Sequence, residues 1–250
     1  MAGLSFTPSP LTVARSALKV LWCELGRLAF GAGVFFLAPY LAAYFLVYKP
    51  ALDGQYGDPT GYYARYYGFI LLFFVVKAVH ACINGQIAFN RLKGQPRPLH
   101  AVVPAGLVNA ARTLAVYVPV AGLIYLGNAA WVAPGLIVGY VATFFLSAVL
   151  YDHFGLKDGW LQGLRVRRGH NLALAISYLL LSALTFAMQK SIAPLSGWVA
   201  QHLPADAATV TTAVVYGLIE LVTTVGCVTL YVLPQESDAP RHDDLTAVFD

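Results

Sequence analysis

Six long apolar stretches dominate the chain, separated by short polar segments. They run over about 28–48, 66–90, 112–130, 131–151, 171–190 and 207–233. Each approaches the roughly 20 residues that an α-helix needs to cross a bilayer. The pattern predicts an all-α, polytopic membrane protein with about six transmembrane helices. Pro39 falls inside the first stretch and Pro119 inside the third; a membrane helix tolerates proline where neighbours satisfy the freed carbonyl. The fourth stretch opens on the Trp131 to Gly135 turn, and Pro134 suits a helix's first turn.

Drawn this way, the spans expose a repeat. An amphipathic stretch precedes each odd-numbered span: Leu11 to Arg27, Leu99 to Arg112, and Leu156 to His170. Ala17-Leu18-Lys19-Val20, Gly106-Leu107-Val108-Asn109 and Gly163-Leu164-Arg165-Val166 occupy equivalent places. The expected architecture is three units, each an interfacial amphipathic helix followed by a hairpin of two membrane helices. Such helices lie at the headgroup boundary with the basic face outward. A plainer account is that any membrane span has an amphipathic lead-in. Residues 1–233 then form a single transmembrane domain, and 234–250 an acidic tail with Glu236, Asp238, Asp243, Asp244 and Asp250 against Arg241 alone.

Composition agrees with the pattern. The chain is 58% hydrophobic and 11% charged, against roughly 25% charged for a soluble domain. The charge that remains is asymmetric. With the N-terminus inside, the inner segments hold Arg15, Lys19, Arg27, Arg91, Lys93, Arg97, Arg112, Lys157, Arg165, Arg167, Arg168 and Arg241, which is 12 of 16 basic residues. The outer side holds Lys49, Arg65 and Lys190. This imbalance predicts both termini in the cytoplasm. Tyr40, Tyr44, Tyr48, Tyr56, Tyr62, Tyr63, Tyr66 and Tyr67 crowd the first outer loop and its flanks, where their rings suit the headgroup layer. No short apolar region with a small-residue cleavage site opens the chain, so a cleavable signal peptide is not expected. A bacterial inner membrane is the expected location. Met1 to Leu21, with Arg15, Lys19 and no acid, leaves a mitochondrial inner membrane as the alternative.

Few residues are candidates for chemistry. A charged group at the bilayer centre costs on the order of 3 kcal/mol by insertion scales. Lys77 near the middle of the second span and Glu220 near the middle of the sixth have opposite signs and matching depths. His80 and Asn84 follow Lys77 at spacings that share one helix face. The cluster reads first as a structural ion pair with a hydrogen-bonding partner, second as a polar path for an ion, proton or substrate, and third as a headgroup or cofactor site. His80 and His153 lie at different depths, which disfavours a shared haem iron. Cys23, Cys82 and Cys227 form neither a CxxC nor a Cys/His pattern. No metal, cofactor, nucleic-acid or enzymatic signature is found. Arg165, Arg167 and Arg168 are candidates for anionic-lipid contact. The Gly135-x-x-x-Gly139 spacing fits close helix packing.

Trp131 to Leu181 resembles the membrane domain fused to bacterial glycerophosphoryl diester phosphodiesterases, and related stand-alone inner-membrane proteins. The resemblance rests on Pro134-Gly135, Asp152, and the basic stretch Gly159-Trp160-Leu161-Gln162-Gly163-Leu164-Arg165-Val166-Arg167-Arg168-Gly169-His170-Asn171. It implies a membrane module without its own active site, since the phosphodiesterase activity of that family resides in a separate soluble domain. The expected function is a non-enzymatic scaffold or accessory module that meets membrane lipids. The acidic tail is a candidate surface for a protein partner, although its simplest role is solvation. The alternative function is a small transporter or channel with a polar path at Lys77, His80 and Glu220.

Overall fold

The computed structural model describes residues 8–52, 59–130 and 132–238. Helix α1 (Pro10–Cys23) opens at Ser9, whose hydroxyl accepts from the Thr12 N–H, and ends at Glu24. The first span follows as α2 (Leu25–Ala32), α3 (Ala38–Ala43) and α4 (Lys49–Leu52), joined by π turns at Gly33–Leu37 and Tyr44–Tyr48. Then come α5 (Pro59–Leu92), α6 (Leu99–Ala130), α7 (Val132–Tyr151), α8 (Leu156–Arg167), α9 (Asn171–His202) and α10 (Ala205–Asp238). Six helices are long and apolar enough to cross a membrane, over Leu25–Val47, Tyr63–Leu92, Leu99–Ile124, Ala133–Tyr151, Asn171–His202 and Asp206–Glu236. The chain is a polytopic α-helical membrane protein.

Several boundaries differ from the periodicity. Leu99 to Arg112 is not a separate interfacial helix; it runs unbroken into the third span as α6. The other two amphipathic stretches are separate helices, broken from their spans by Glu24 and by the turn at Gly169, whose φ is +87°. No such breaking residue stands between Arg112 and Thr113, so the hydrogen-bond ladder continues. The fifth span extends past Lys190 to His202, and the sixth runs through Pro234 to Asp238. At 1.5 Å rise per residue the 32 residues of α9 reach about 48 Å, well beyond a hydrocarbon core of about 30 Å. Tyr56, Trp131 and the tail beyond Asp238 lie outside the described residues.

The second helix of each hairpin is central. α5, α7 and α10 pack against one another, while the first span, α6 and α9 cover them from outside. Burial follows this division: the most apolar windows of α5, α7 and α10 are 33%, 50% and 56% buried, against 17%, 17% and 11% for their outer partners. Each amphipathic stretch lies on a central helix: α1 on α10, the start of α6 on α5, and α8 on α7. The repeated tetrads carry these contacts. Val20, Asn109 and Val166 are buried, while Leu18, Leu107 and Leu164 are exposed. Gly106 lies on Ile83 of α5, and Gly163 on the Phe144–Phe145 backbone of α7. The three-unit reading therefore has a physical counterpart in how the units dock. Ion pairs and hydrogen bonds between Glu24 and Arg91, Lys93 and Gln235, and Asp152 and Tyr231 place those residues at one end of the bundle, here the terminal face. Lys49 and Asp206 pair at the other end, 2.6 Å apart. The main buried core, from Cys82 to Phe89, Phe144 to Tyr151 and Leu221 to Val232, fills the terminal-face half.

The close approach at Gly106 is testable. A Cβ there would come 2.7 Å from Ile83 Cγ1 and 3.1 Å from Ile83 Cα, whereas one at Gly122 meets nothing within 4 Å. Alanine stabilises a free helix position by about 1 kcal/mol over glycine, and overpacking costs about 1–3 kcal/mol. Gly106→Ala should lower the unfolding temperature in detergent, and Gly122→Ala should leave it equal or higher. Equal behaviour of the two variants would remove the packing role of the tetrad.

Candidate functional site

Lys77 of α5 and Glu220 of α10 meet inside the bundle, Nζ to Oε1 at 2.8 Å. Their side chains are 23% and 13% exposed. Lys77 Nζ also lies 5.4 Å from the centre of the Phe73 ring. One turn along the same face, His80 is fully buried. Asn84 Nδ2 donates to His80 Nδ1 at 3.0 Å, which leaves the ring proton on Nε2. The backbone carbonyl of Glu220 lies within reach of the ring without forming a well-directed hydrogen bond to Nε2. The four residues predicted to cluster are therefore together. Thr223 and Thr224 sit beside Glu220 in sequence, but the Thr223 hydroxyl turns back to the Ile219 carbonyl at 2.7 Å.

The first span closes this cluster. Gly31 packs on the Asn84 amide so closely that a methyl group there would collide with Oδ1. Phe36 is fully buried, 5.4 Å edge-on from His80, and lies against Gly217 of α10. Phe36 sits in the first π turn, where the Ala38 N–H bonds back to Gly33. In the second π turn the Lys49 N–H bonds back to Tyr44. Each turn ends two residues before a proline, Pro39 and Pro50. A proline ring clashes with the carbonyl four residues earlier, and a widened turn relieves that contact. The prolines thus set the phase that aims Phe36 at His80.

The arginines divide. Arg165 and Arg168 are exposed at the terminal face. Arg167 folds inward: its Nε donates to the Gly163 carbonyl at 3.2 Å, and its guanidinium lies 5.6 Å from the Tyr140 ring and 5.8 Å from the Phe144 ring. Gly139 does not meet a neighbouring backbone; it accommodates the Tyr178 hydroxyl of α9. His153 stands in the loop after α7 with φ +59°. It lines a cavity at the terminal face whose walls do not include His80, so the two histidines are not brought together. Among the described residues no group of three His, Cys, Asp or Glu side chains is placed to hold a metal ion.

That cavity escapes the sequence reading. It has a volume of about 320 Å³ and opens at the terminal face, lined by Gln86, Asn90, Lys93, Gln95, Arg97, Tyr151, Asp152 and His153 with Phe89. At 100° per residue, Gln86, Asn90 and Lys93 lie on the side of α5 opposite Lys77, His80 and Asn84. Glu24 also escapes it. This carboxylate is 5% exposed, 2.7 Å from Arg27 and 3.8 Å from Arg91, so it ties the first span to α5. The available signal is its isolation: it is the only acid before Asp53. No protein-family model, curated protein or solved structure matches this chain.

The ion pair yields a stability test. Removing one member of a buried pair strands the other charge, at about 3–5 kcal/mol in soluble proteins. Lys77→Met and Glu220→Gln should each lower thermal stability in detergent, and the double variant should recover much of the loss because both charges leave together. Simple additivity of the two losses would show that neither side chain depends on the other.

Proposed function

We propose that the protein is a non-enzymatic membrane scaffold or accessory module that holds anionic lipid against its terminal face. The observation that carries this reading is the make-up of α8. Its buried face is Gly159, Gly163 and Val166, seated on α7. One flank exposes Leu156 at 56%, Trp160 at 48% and Leu164 at 43%. Lys157, Arg165 and then Arg168 follow on the next side. Apolar flank and basic flank meet along one short helix, the arrangement of a helix lying at the headgroup boundary. On α1, Leu18 and Trp22 are likewise exposed, at 65% and 81%, beside Arg15 and Lys19. The resemblance of Trp131 to Leu181 to a membrane module without an active site supports the same reading.

The terminal face is the cytoplasmic one in this proposal, and the membrane a bacterial inner membrane. The support is the ratio of 12 inner to 3 outer basic residues. A transport function at Lys77, His80 and Glu220 is the second reading, favoured by the residual exposure of the Lys77 side chain, 23%. Against it stands the pairing itself, because each charge already occupies the other, and the polar cavity lies on the opposite side of α5.

Two measurements test this. An anionic surface attracts each nearby Lys or Arg by about 1 kcal/mol. Arg165→Gln with Arg168→Gln should reduce co-purified anionic lipid and leave thermal stability unchanged. Arg167→Gln should do the reverse, because it loses the Gly163 and aromatic contacts. Unchanged lipid content in the double variant would refute lipid binding at α8. For orientation, the exposed Cys23 is first replaced by serine. A membrane-impermeant thiol reagent added outside should then label a cysteine at position 57, which lies outside the described residues, and miss one at position 95. The opposite pattern would invert the topology.

A further inference from the structure

The terminal-face cavity contains a polar arrangement that the protein's own contacts leave incomplete. Gln86 and Asn90 are 8% and 6% exposed. Gln86 Nε2 donates to Asn90 Oδ1 at 3.0 Å. That bond leaves an acceptor, Gln86 Oε1, and a donor, Asn90 Nδ2, both buried and both without a partner. An unmet buried polar atom costs about 1–3 kcal/mol, and two of them side by side in one cavity wall mark a place where something else completes the bonding.

The surrounding charges say what. Lys93 and Arg97 bring two cations to the wall. Lys93 Nζ is steadied by Gln235 Oε1 at 3.0 Å, and the Arg97 carbonyl accepts from Arg27, which fixes the loop that carries the guanidinium. Asp152 brings an anion, oriented by the Tyr231 hydroxyl at 2.5 Å. Two helices, α5 and α7, end at the cavity, and helix C-termini favour positive charge. A purely anionic ligand would meet Asp152 and both helix ends unfavourably, and a purely cationic one would meet Lys93 and Arg97. A ligand carrying both charges satisfies the whole wall. Its ammonium suits Asp152, the helix ends and Gln86 Oε1. Its anionic oxygens suit Lys93, Arg97 and Asn90 Nδ2. The volume of about 320 Å³ falls at the small end of ligand sites, roughly 300–1,000 Å³. On the topology proposed above, the end of α5 and the loop after it, which line the cavity, lie at the headgroup layer, where the abundant small zwitterions are phosphate esters of amino alcohols.

We propose that this cavity binds a small zwitterion with a primary ammonium and a phosphate group, of the phosphoethanolamine type, either as a lipid headgroup or as the free ester. The site is independent of the α8 arginines, which attract net negative charge.

The test uses the full chain in phosphatidylcholine nanodiscs, with added phosphatidylethanolamine or phosphatidylglycerol, and in a separate arm with soluble O-phosphoethanolamine. Binding is read by native mass spectrometry and by the shift in unfolding temperature. Phosphatidylethanolamine should be retained in preference to phosphatidylcholine, whose methylated ammonium has no N–H donors, and to phosphatidylglycerol, which has no ammonium. Binding of the soluble ester would identify a free ligand as sufficient; retention of the lipid alone would identify the headgroup. Gln86→Met with Asn90→Leu should weaken binding by about a hundredfold, because it removes two charge-assisted hydrogen bonds worth about tenfold each. Without ligand this variant should be at least as stable as the parent, because two unmet polar atoms are gone. Arg165→Gln with Arg168→Gln should leave the preference intact, which separates this site from the anionic-lipid surface. The proposal is overturned if neither probe binds, if the three lipids bind alike, if the Gln86/Asn90 variant binds as the parent does, or if that variant is destabilised without ligand, since the amides would then serve packing.

Discussion

The contact between Lys77 and Glu220 fixes the register on which the bundle depends. α5 and α10 run in the same direction, so their helix dipoles repel side by side and supply no attraction that would hold the two at one height. Apolar side chains in a hydrocarbon solvent add little, because lipid is as apolar as leucine. A 2.8 Å ion pair supplies what those forces lack, a single height at which both charges are met. The second tie agrees with it. Lys93 bonds Gln235 sixteen residues further along α5 and fifteen further along α10, so the two helices rise in step. With that register set, Phe36, His80 and Gly217 fall at one level, and Asp152 reaches Tyr231.

Scarcity makes the acids informative. Within the described spans and their flanks, Glu24, Asp152, Asp206 and Glu220 each connect two different helices. Three of the four ties involve α10, which also packs against α9, α5, α7 and α1. The chain thus spends its few carboxylates on holding peripheral and central helices to one shared member. The arrangement of three hairpins around α5, α7 and α10 concentrates buried polar groups there, and leaves the first span, α6 and α9 to face lipid.

What was legible in the sequence was what hydrocarbon makes conspicuous. Lys77 and Glu220 stand out because a charge in an apolar run has to be answered, and matching depth pointed to the partner. The amphipathic stretches stood out by their basic residues, but whether each stands apart from its span depended on a single local device: Glu24 in the first unit, Gly169 in the third, and nothing in the second. The Gln86–Asn90 pair was not legible. Asparagine and glutamine are common near helix ends, and only the packing of α7 against α5 shows that these two are buried with atoms unmet. The inward turn of Arg167 was hidden for a similar reason. Its sequence context is the same as that of Arg165 and Arg168, and the difference is a rotation about the α8 axis that brings it over Tyr140 and Phe144.

The two π turns of the first span carry a consequence for how that span reads. A π turn accommodates an extra residue without lengthening the helix by a full step, so everything beyond it is rotated relative to an unbroken α-helix. Two such turns make the outer part of the span keep time as if two residues had been left out. A helical wheel drawn from Leu25 onward therefore loses its phase at Gly33 and again at Tyr44, and it would aim Lys49 away from its partner. The outer ion pair with Asp206 exists because Pro39 and Pro50 reset the clock: two residues that donate no backbone hydrogen bond decide where a lysine at the far end of the membrane points.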